Sequence, residues 1–331
     1  MSFDKEIKHI LLESPQEVNE VLLIEVYRYQ YAFNSVYKLY ADAIQKSPAN
    51  VHSVTDIPFL PISFYKNHLV VTQDGSVDIS KSVEFYSSGT TSENRSTHVV
   101  SDPAFYKHRS KQIFESYYGP LSDVIILAVL PSYQENASSS LIFMMQHFIE
   151  QSNHAASKFY AFDKATIKTV LKELRYEQKK IIVWGVSYAL LDWAEEEREV
   201  YESVIFLETG GMKGRRKELT RKELHTQLCT GFGVSTIHSE YGMTELLSQA
   251  YSTGDGMYQF PEGFIPILRQ MNDPFGKVIN GSGGINIIDL ANINACCFIE
   301  TQDVGRISEQ GFEILGRIDS SDLRGCNLLY M

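Results

Sequence analysis

Residues 86–92 read Tyr-Ser-Ser-Gly-Thr-Thr-Ser, and residues 241–245 read Tyr-Gly-Met-Thr-Glu. The first string sets five Ser and Thr hydroxyls around Gly89. A residue without a Cβ lets the backbone fold so that N–H groups and hydroxyls converge on a phosphate. The second string offers an aromatic face, a glycine for close approach, a hydroxyl and a carboxylate able to hold a divalent cation. Either string alone also fits an ordinary polar turn. Together, each in a strand-to-helix setting, they suggest a site for a nucleoside triphosphate and its magnesium.

Such strings need a scaffold, and the pattern from about residue 80 to 240 supplies one. Apolar runs at 124–130, 181–184 and 204–207 read as buried strands, with helical segments between them at 138–150 and 163–176. Short buried strands alternating with helices imply right-handed βαβ units and a mostly parallel sheet, whose ligands gather at the carboxyl ends of the strands. Glu208-Thr-Gly-Gly-Met follows the third run, and Tyr241–Glu245 follows a run at 234–238. Thr220-Arg-Lys-Glu223 has the spacing of a capping box that opens a helix. His238 either orients a group in the site or is a satisfied core residue.

Upstream, Val18, Leu22, Val26, Tyr29, Phe33, Val36, Tyr40 and Ile44 recur every three or four residues, which predicts one helical apolar stripe. Aromatic residues at that spacing are core, so the tyrosines here carry no chemistry. Beyond about residue 260, glycines and short β-like runs (281–289, 295–299, 311–315) predict a small, mostly antiparallel β subdomain. The expected division is a helical region at 1–80 packed on the body, an α/β nucleotide-binding body at 81–260, and a small β subdomain with a C-terminal tail at 261–331.

The 331 residues carry a net charge of −11, which argues against nucleic acid, since phosphate-backbone binding needs a broad basic surface. A bound polyphosphate must then meet a local positive cluster, for which Arg95, the run Lys213-Gly-Arg-Arg-Lys217 and Arg317 are candidates. No apolar run approaches the roughly 20 residues that span a bilayer. Four cysteines without CxxC spacing make disulfides and structural zinc poor expectations, and a cytoplasmic location is the natural reading.

In order and content these strings resemble the adenylate-forming superfamily of acyl-CoA synthetases. Residues 86–97 look like its phosphate loop, and Tyr241-Gly-Met-Thr-Glu245 like its adenine- and magnesium-contacting motif. Glu300-Thr-Gln-Asp303-Val-Gly-Arg306 resembles the segment that holds the ribose, and Gly316-Arg317-Ile-Asp319 the one leading to a mobile C-terminal domain. The resemblance implies roles position by position. Ser87, Ser88, Gly89, Thr90 and Thr91, with Arg95, would surround the phosphates of ATP. Glu245, together with Thr90, would ligate Mg2+. Tyr241 and Gly242 would meet adenine, with Gly210 and Gly211 as the opposite wall. Thr244 would face the α-phosphate, and Asp303 and Arg317 the ribose. Ser92 and Ser96 stand where the family prefers glycine, and Arg95 where it prefers lysine.

The chain given ends at Met331, so the expected fold is α/β, the large N-terminal domain of this superfamily with a small C-terminal β subdomain and without the mobile lid. That outline resembles one branch, the LuxE-type acyl-protein synthetases. By that resemblance the chain would activate a carboxylic, and most naturally fatty, acid as an acyl-adenylate. It would move the acyl group to Cys326 and deliver it to an acyl reductase partner, with a homo-oligomer left open. Cys326 follows Arg324 and Gly325, which favour a thiolate and a free backbone, whereas Cys229, Cys296 and Cys297 read as packing residues. Two alternatives stand beside this reading: an acyl- or aryl-CoA ligase like phenylacetate-CoA ligase, and an idle acyl- or nucleotide-binding subunit.

Overall fold

A computed structural model describes residues 2–75, 79–87, 95–130, 138–211, 219–271 and 273–317. The chain begins with α1 (Phe3–Glu13), α2 (Glu20–Phe33) and α3 (Ser35–Ala43). The apolar stripe expected as one helix is therefore broken, and Asn34 breaks it. Its carbonyl oxygen Oδ1 accepts the Tyr37 N–H at 2.9 Å and caps α3, while its amide donates to the Ala295 carbonyl at 2.8 Å. Asparagine competes with the helix for backbone partners, which is why it sits at such a junction. Tyr27, Tyr29 and Tyr37 are buried; the rings of Tyr27 and Tyr37 lie against Phe298, near the C-terminal end of the chain.

Next come β1 (Leu60–Pro61), α4 (Phe64–Asn67), the hairpin strands β2 (Val83–Tyr86) and β3 (Thr97–Val100), and α5 (Pro103–Tyr118). A six-stranded sheet follows. Its strands are β4 (Val124–Val129), β5 (Lys158–Tyr160), β6 (Lys180–Val186), β7 (Val204–Thr209), β8 (His238–Tyr241) and β9 (Ala250–Ser252), in the order β5-β4-β6-β7-β8-β9. The first five run parallel and β9 is antiparallel. Every residue of β4 is buried, as continuous apolar strands in parallel sheets require.

The crossovers are α6 (Ser140–Ser152), α7 (Lys164–Glu173), α8 (Ser187–Ala194) and α9 (Arg221–Phe232). Trp184 of β6 packs on Phe114 of α5 and Phe148 of α6. Phe206 of β7 stacks on Phe232 of α9 and meets Trp193 of α8. Alternating side chains thus clothe both faces of the sheet with helices. Helix α9 opens with the capping box its sequence predicts, Thr220 and Glu223 bonding each other's backbone N–H.

The remaining strands are β10 (Met257–Tyr258), β11 (Phe264–Gln270), β12 (Asp273–Lys277), β13 (Gly281–Asp289), β14 (Phe298–Ser308) and β15 (Gly311–Arg317). They form an antiparallel sheet in the order β10-β15-β14-β13-β11-β12, which β1 joins by pairing parallel to β14. The run expected as a strand at 295–299 enters the sheet only at Phe298, and the one expected at 234–238 only at His238. Gly233 in the left-handed region (φ 64°) ends α9, and the chain must turn before it can re-enter the sheet. Tyr241 therefore closes a strand instead of following one. One contiguous apolar core extends from Ile7 to Ile314.

Candidate functional site

The carboxyl ends of β6, β7 and β8 lie side by side, with Val186 paired to Thr209 and Thr209 to Glu240. Just beyond them come Ser187, Gly210 and the Tyr241–Glu245 string. Gly210 and Gly211 are exposed past β7, and Gly210 needs its glycine, because its φ is 72°. The Ser187 Oγ lies 3.1 Å from the Gly210 carbonyl oxygen.

Tyr241, 8% exposed, donates its hydroxyl to Asp303 Oδ2 at 2.8 Å. Asp303 sits on β14 opposite Arg317 of β15, and the Arg317 Nε lies 3.4 Å from Asp303 Oδ1. Two residues far apart in sequence thus meet one carboxylate. Burial pushes the Asp303 carboxyl up, with Arg317 opposing it. The same burial pushes the Tyr241 hydroxyl well above its ordinary value, so it is a donor at any working pH. Arg317 remains largely exposed, at 74% of its side chain, and is available to an anion.

Glu245 is buried at the end of the string. Burial raises its carboxyl, while the Ser96 hydroxyl and the Arg317 charge work to lower it and Asp303 adds to the rise. Ser96 in turn closes the β2–β3 hairpin: its N–H donates to Ser87 Oγ at 2.9 Å, and its carbonyl accepts the Ser87 N–H at 3.1 Å. Both ends of the hydroxyl segment are therefore pinned beside Glu245, with Arg95 half-buried next to Ser96. Ser88, Gly89, Thr90, Thr91, the basic run 213–217 and Cys326 lie outside the described residues.

Backbone grips hold the string. The His98 Nδ1 donates to the Thr244 carbonyl at 2.7 Å, and the Asn292 amide to the Glu245 carbonyl at 2.7 Å. Asp289 accepts the N–H groups of Leu247 and Ser248 at 2.8 and 3.0 Å and the Ser248 hydroxyl at 2.7 Å. Burial lowers the His98 imidazole to about 4, so it is neutral near pH 7.

Two buried carboxyls flank the string with opposite electrostatics. Glu208 on β7 meets Arg221, which also reaches the Ile314 carbonyl of β15, and accepts the Ser187 hydroxyl at 2.5 Å. Burial works to raise Glu208, but Arg221, His225 and Ser187 outweigh it and hold the carboxyl at about 2. Glu240 accepts the Thr209 hydroxyl and packs so close to Gly242 that a Cβ there would lie 2.4 Å from its Oε1. Burial, and then the Glu208 charge, push Glu240 up to about 7 against the Thr209 hydroxyl. His238 belongs to the framework: its Nδ1 meets the Tyr118 hydroxyl at 3.1 Å, and burial lowers it to about 4.

Sequence reasoning missed Glu240, His98, Asp289, Asn292 and Arg221. Only Glu240 left a trace, as a charged residue inside an otherwise buried strand end. Among the described residues, no three His, Cys, Asp or Glu side chains gather as a metal cluster. A single carboxylate such as Glu245 nonetheless suits magnesium, which takes one or two carboxylates plus phosphate and water oxygens. No helix of the described residues is long and apolar enough to cross a membrane.

No family model and no curated protein matches the sequence. Solved structures do match its fold. ATP-bound MatB from Rhodopseudomonas palustris superposes with a TM-score of 0.51 at 17% identity, covering 74% of this chain and 50% of that one. The 2-hydroxyisobutyryl-CoA ligase in complex with 2-HIB-AMP and CoA, in its thioesterification state, gives a TM-score of 0.58 at 12% identity, covering 96% and 68%. Its open conformation gives 0.57 at 12% identity, covering 90% and 74%. The chain spans about half the length of the MatB chain it matches. The fold is thus α/β, that of the large N-terminal domain of adenylate-forming ligases.

Proposed function

We propose that this chain uses ATP to activate a carboxylic, most naturally fatty, acid as an acyl-adenylate, and that Cys326 takes the acyl group for delivery to an acyl reductase. The observation that carries the first half is convergence. Ser87 and Ser96 at the ends of the hydroxyl segment, Glu245, and the Tyr241–Asp303–Arg317 set come together at the carboxyl edge of a parallel sheet. The neighbours support it, since the 2-hydroxyisobutyryl-CoA ligase is bound to an acyl-AMP.

In this reading Asp303 and Arg317 hold the ribose, with Asp303 accepting its hydroxyls, and Tyr241 keeps Asp303 aimed while its ring meets adenine. Thr244 donates to the α-phosphate, and the segment after Ser87 donates to the β- and γ-phosphates. Glu245 would hold Mg2+, which when bound neutralises phosphate charge. The acid's carboxylate oxygen attacks the α-phosphorus and pyrophosphate leaves. The Cys326 thiolate then attacks the acyl carbonyl and AMP leaves. Such in-line transfer needs chiefly positioning and charge stabilisation.

The test is mass spectrometry of the intact protein after incubation with ATP, magnesium and a panel of carboxylic acids. An acyl adduct should form, be removed by hydroxylamine and vanish in Cys326→Ser, while acid-dependent pyrophosphate exchange survives. Exchange should fall by orders of magnitude in Glu245→Gln with the fold intact. Accumulation of a CoA thioester without a protein adduct would replace the protein-acceptor half with a CoA ligase. ATP binding without exchange would defeat the activation half.

A further inference from the structure

The string that ends in Glu245 is gripped from two distant parts of the chain at two successive carbonyls. His98 of β3 donates to the Thr244 carbonyl, and Asn292, in the turn that links β13 to β14, donates to the Glu245 carbonyl, each at 2.7 Å. Both side chains are fully buried. Each spends a donor on this string, and each leaves its second polar atom, His98 Nε2 or Asn292 Oδ1, buried with no protein partner among the described residues. Because the Thr244 carbonyl can only accept, Nδ1 must carry the proton. Buried polar groups are rarely left so incompletely satisfied without a reason.

A third observation gives that reason a direction. Ser96 stands two residues before His98, and its hydroxyl acts on the Glu245 carboxyl, while His98 holds the peptide just ahead of Glu245. The hairpin that closes the hydroxyl segment therefore fixes both the backbone and the side chain of one acid. We propose that His98 and Asn292 are positioning residues that hold the Thr244–Glu245 backbone so that the Glu245 carboxylate is aimed at the cation accompanying ATP. This rests on the function proposed above. Neither residue touches substrate; both act through the backbone, as partners behind a metal ligand do.

The experiment uses the full chain and measures the magnesium concentration that gives half-maximal pyrophosphate exchange at saturating ATP and acid. His98→Phe and Asn292→Leu, which remove the donors, should each raise that concentration by about tenfold or more, the range typical of such supporting residues. His98→Asn, which places an amide near the former Nδ1, should bring it back toward the wild-type concentration. Calorimetry of magnesium–ATP binding should show His98→Phe costing nothing further in a Glu245→Gln background, since the two changes act on one element. If His98→Phe fails to fold, Asn292→Leu, close to asparagine in outline, carries the test. Unchanged magnesium dependence in both donor variants, with wild-type exchange intact, overturns the inference and leaves the proposed function standing. Absence of exchange and of magnesium–ATP binding in the wild type overturns both.

Discussion

Replacing Glu240 by glutamine should make the protein more stable at alkaline pH and leave it nearly unchanged at acid pH. Glu240 is 6% exposed, accepts the Thr209 hydroxyl and packs on Gly242. Among the described residues, the Glu208 charge acts on it from β7, and it in turn acts on the hydroxyls of Tyr251 of β9, Tyr106 and Tyr118 of α5, and Tyr258 of β10. Its folded value, about 7, stands above the ordinary 4.5. A raised carboxyl contributes stability that is fully present below 4.5 and is lost as pH climbs through about 7, because over that window the folded state binds the extra proton. At about 1.4 kcal/mol per pH unit, that difference amounts to about 3 kcal/mol.

Glutamine keeps the shape of the neutral acid and cannot ionise, so this loss should disappear in Glu240→Gln. Urea unfolding of both proteins at half-unit steps from pH 5 to 8 measures it. The variant-minus-wild-type difference should grow by about 2–3 kcal/mol across the series with constant m-values. His98 and His238, both lowered to about 4, titrate in the opposite sense below pH 6.5, but they are common to both proteins and cancel in the difference. Glu208, at about 2, titrates below the window. A difference that stays flat from pH 5 to 8 would refute the reasoning and mean that Glu240 is ionised throughout.

Two further expectations follow from the same geometry. Arg221→Met should cost about 3–5 kcal/mol, because it strands the buried Glu208 carboxylate without its cation; denaturant unfolding checks this, and a loss below about 1 kcal/mol would mean that water or His225 replaces the arginine. Asp303→Ala removes the acceptor of the Tyr241 hydroxyl and the partner of Arg317, and it should weaken ATP binding at least about tenfold, roughly one lost charge-assisted bond; unchanged affinity by calorimetry would defeat the ribose assignment.

The sequence by itself determined the parallel sheet and the two strings. Val124–Val129 is apolar throughout because a strand covered on both faces must be, and Thr220 with Glu223 announces a helix start through chemistry confined to four residues. The strings were visible for a similar reason: hydroxyls, glycines and a carboxylate gathered at one point need no distant partner to look unusual. The tertiary structure alone decided how the strings are served. Nothing local in Asp289, Asn292 or His98 says that each holds the loop around Glu245, since they lie more than 40 residues away along the chain. Nor could sequence tell Glu208 from Glu240. The two occupy equivalent strand ends with the same side chain, yet one carboxyl falls to about 2 and the other rises to about 7. Arg221 and His225 of α9 reach the first, whereas the second, among the described residues, is buried against a threonine hydroxyl with a like charge nearby. Which face of the sheet a carboxyl points to, and what the fold packs there, sets its charge.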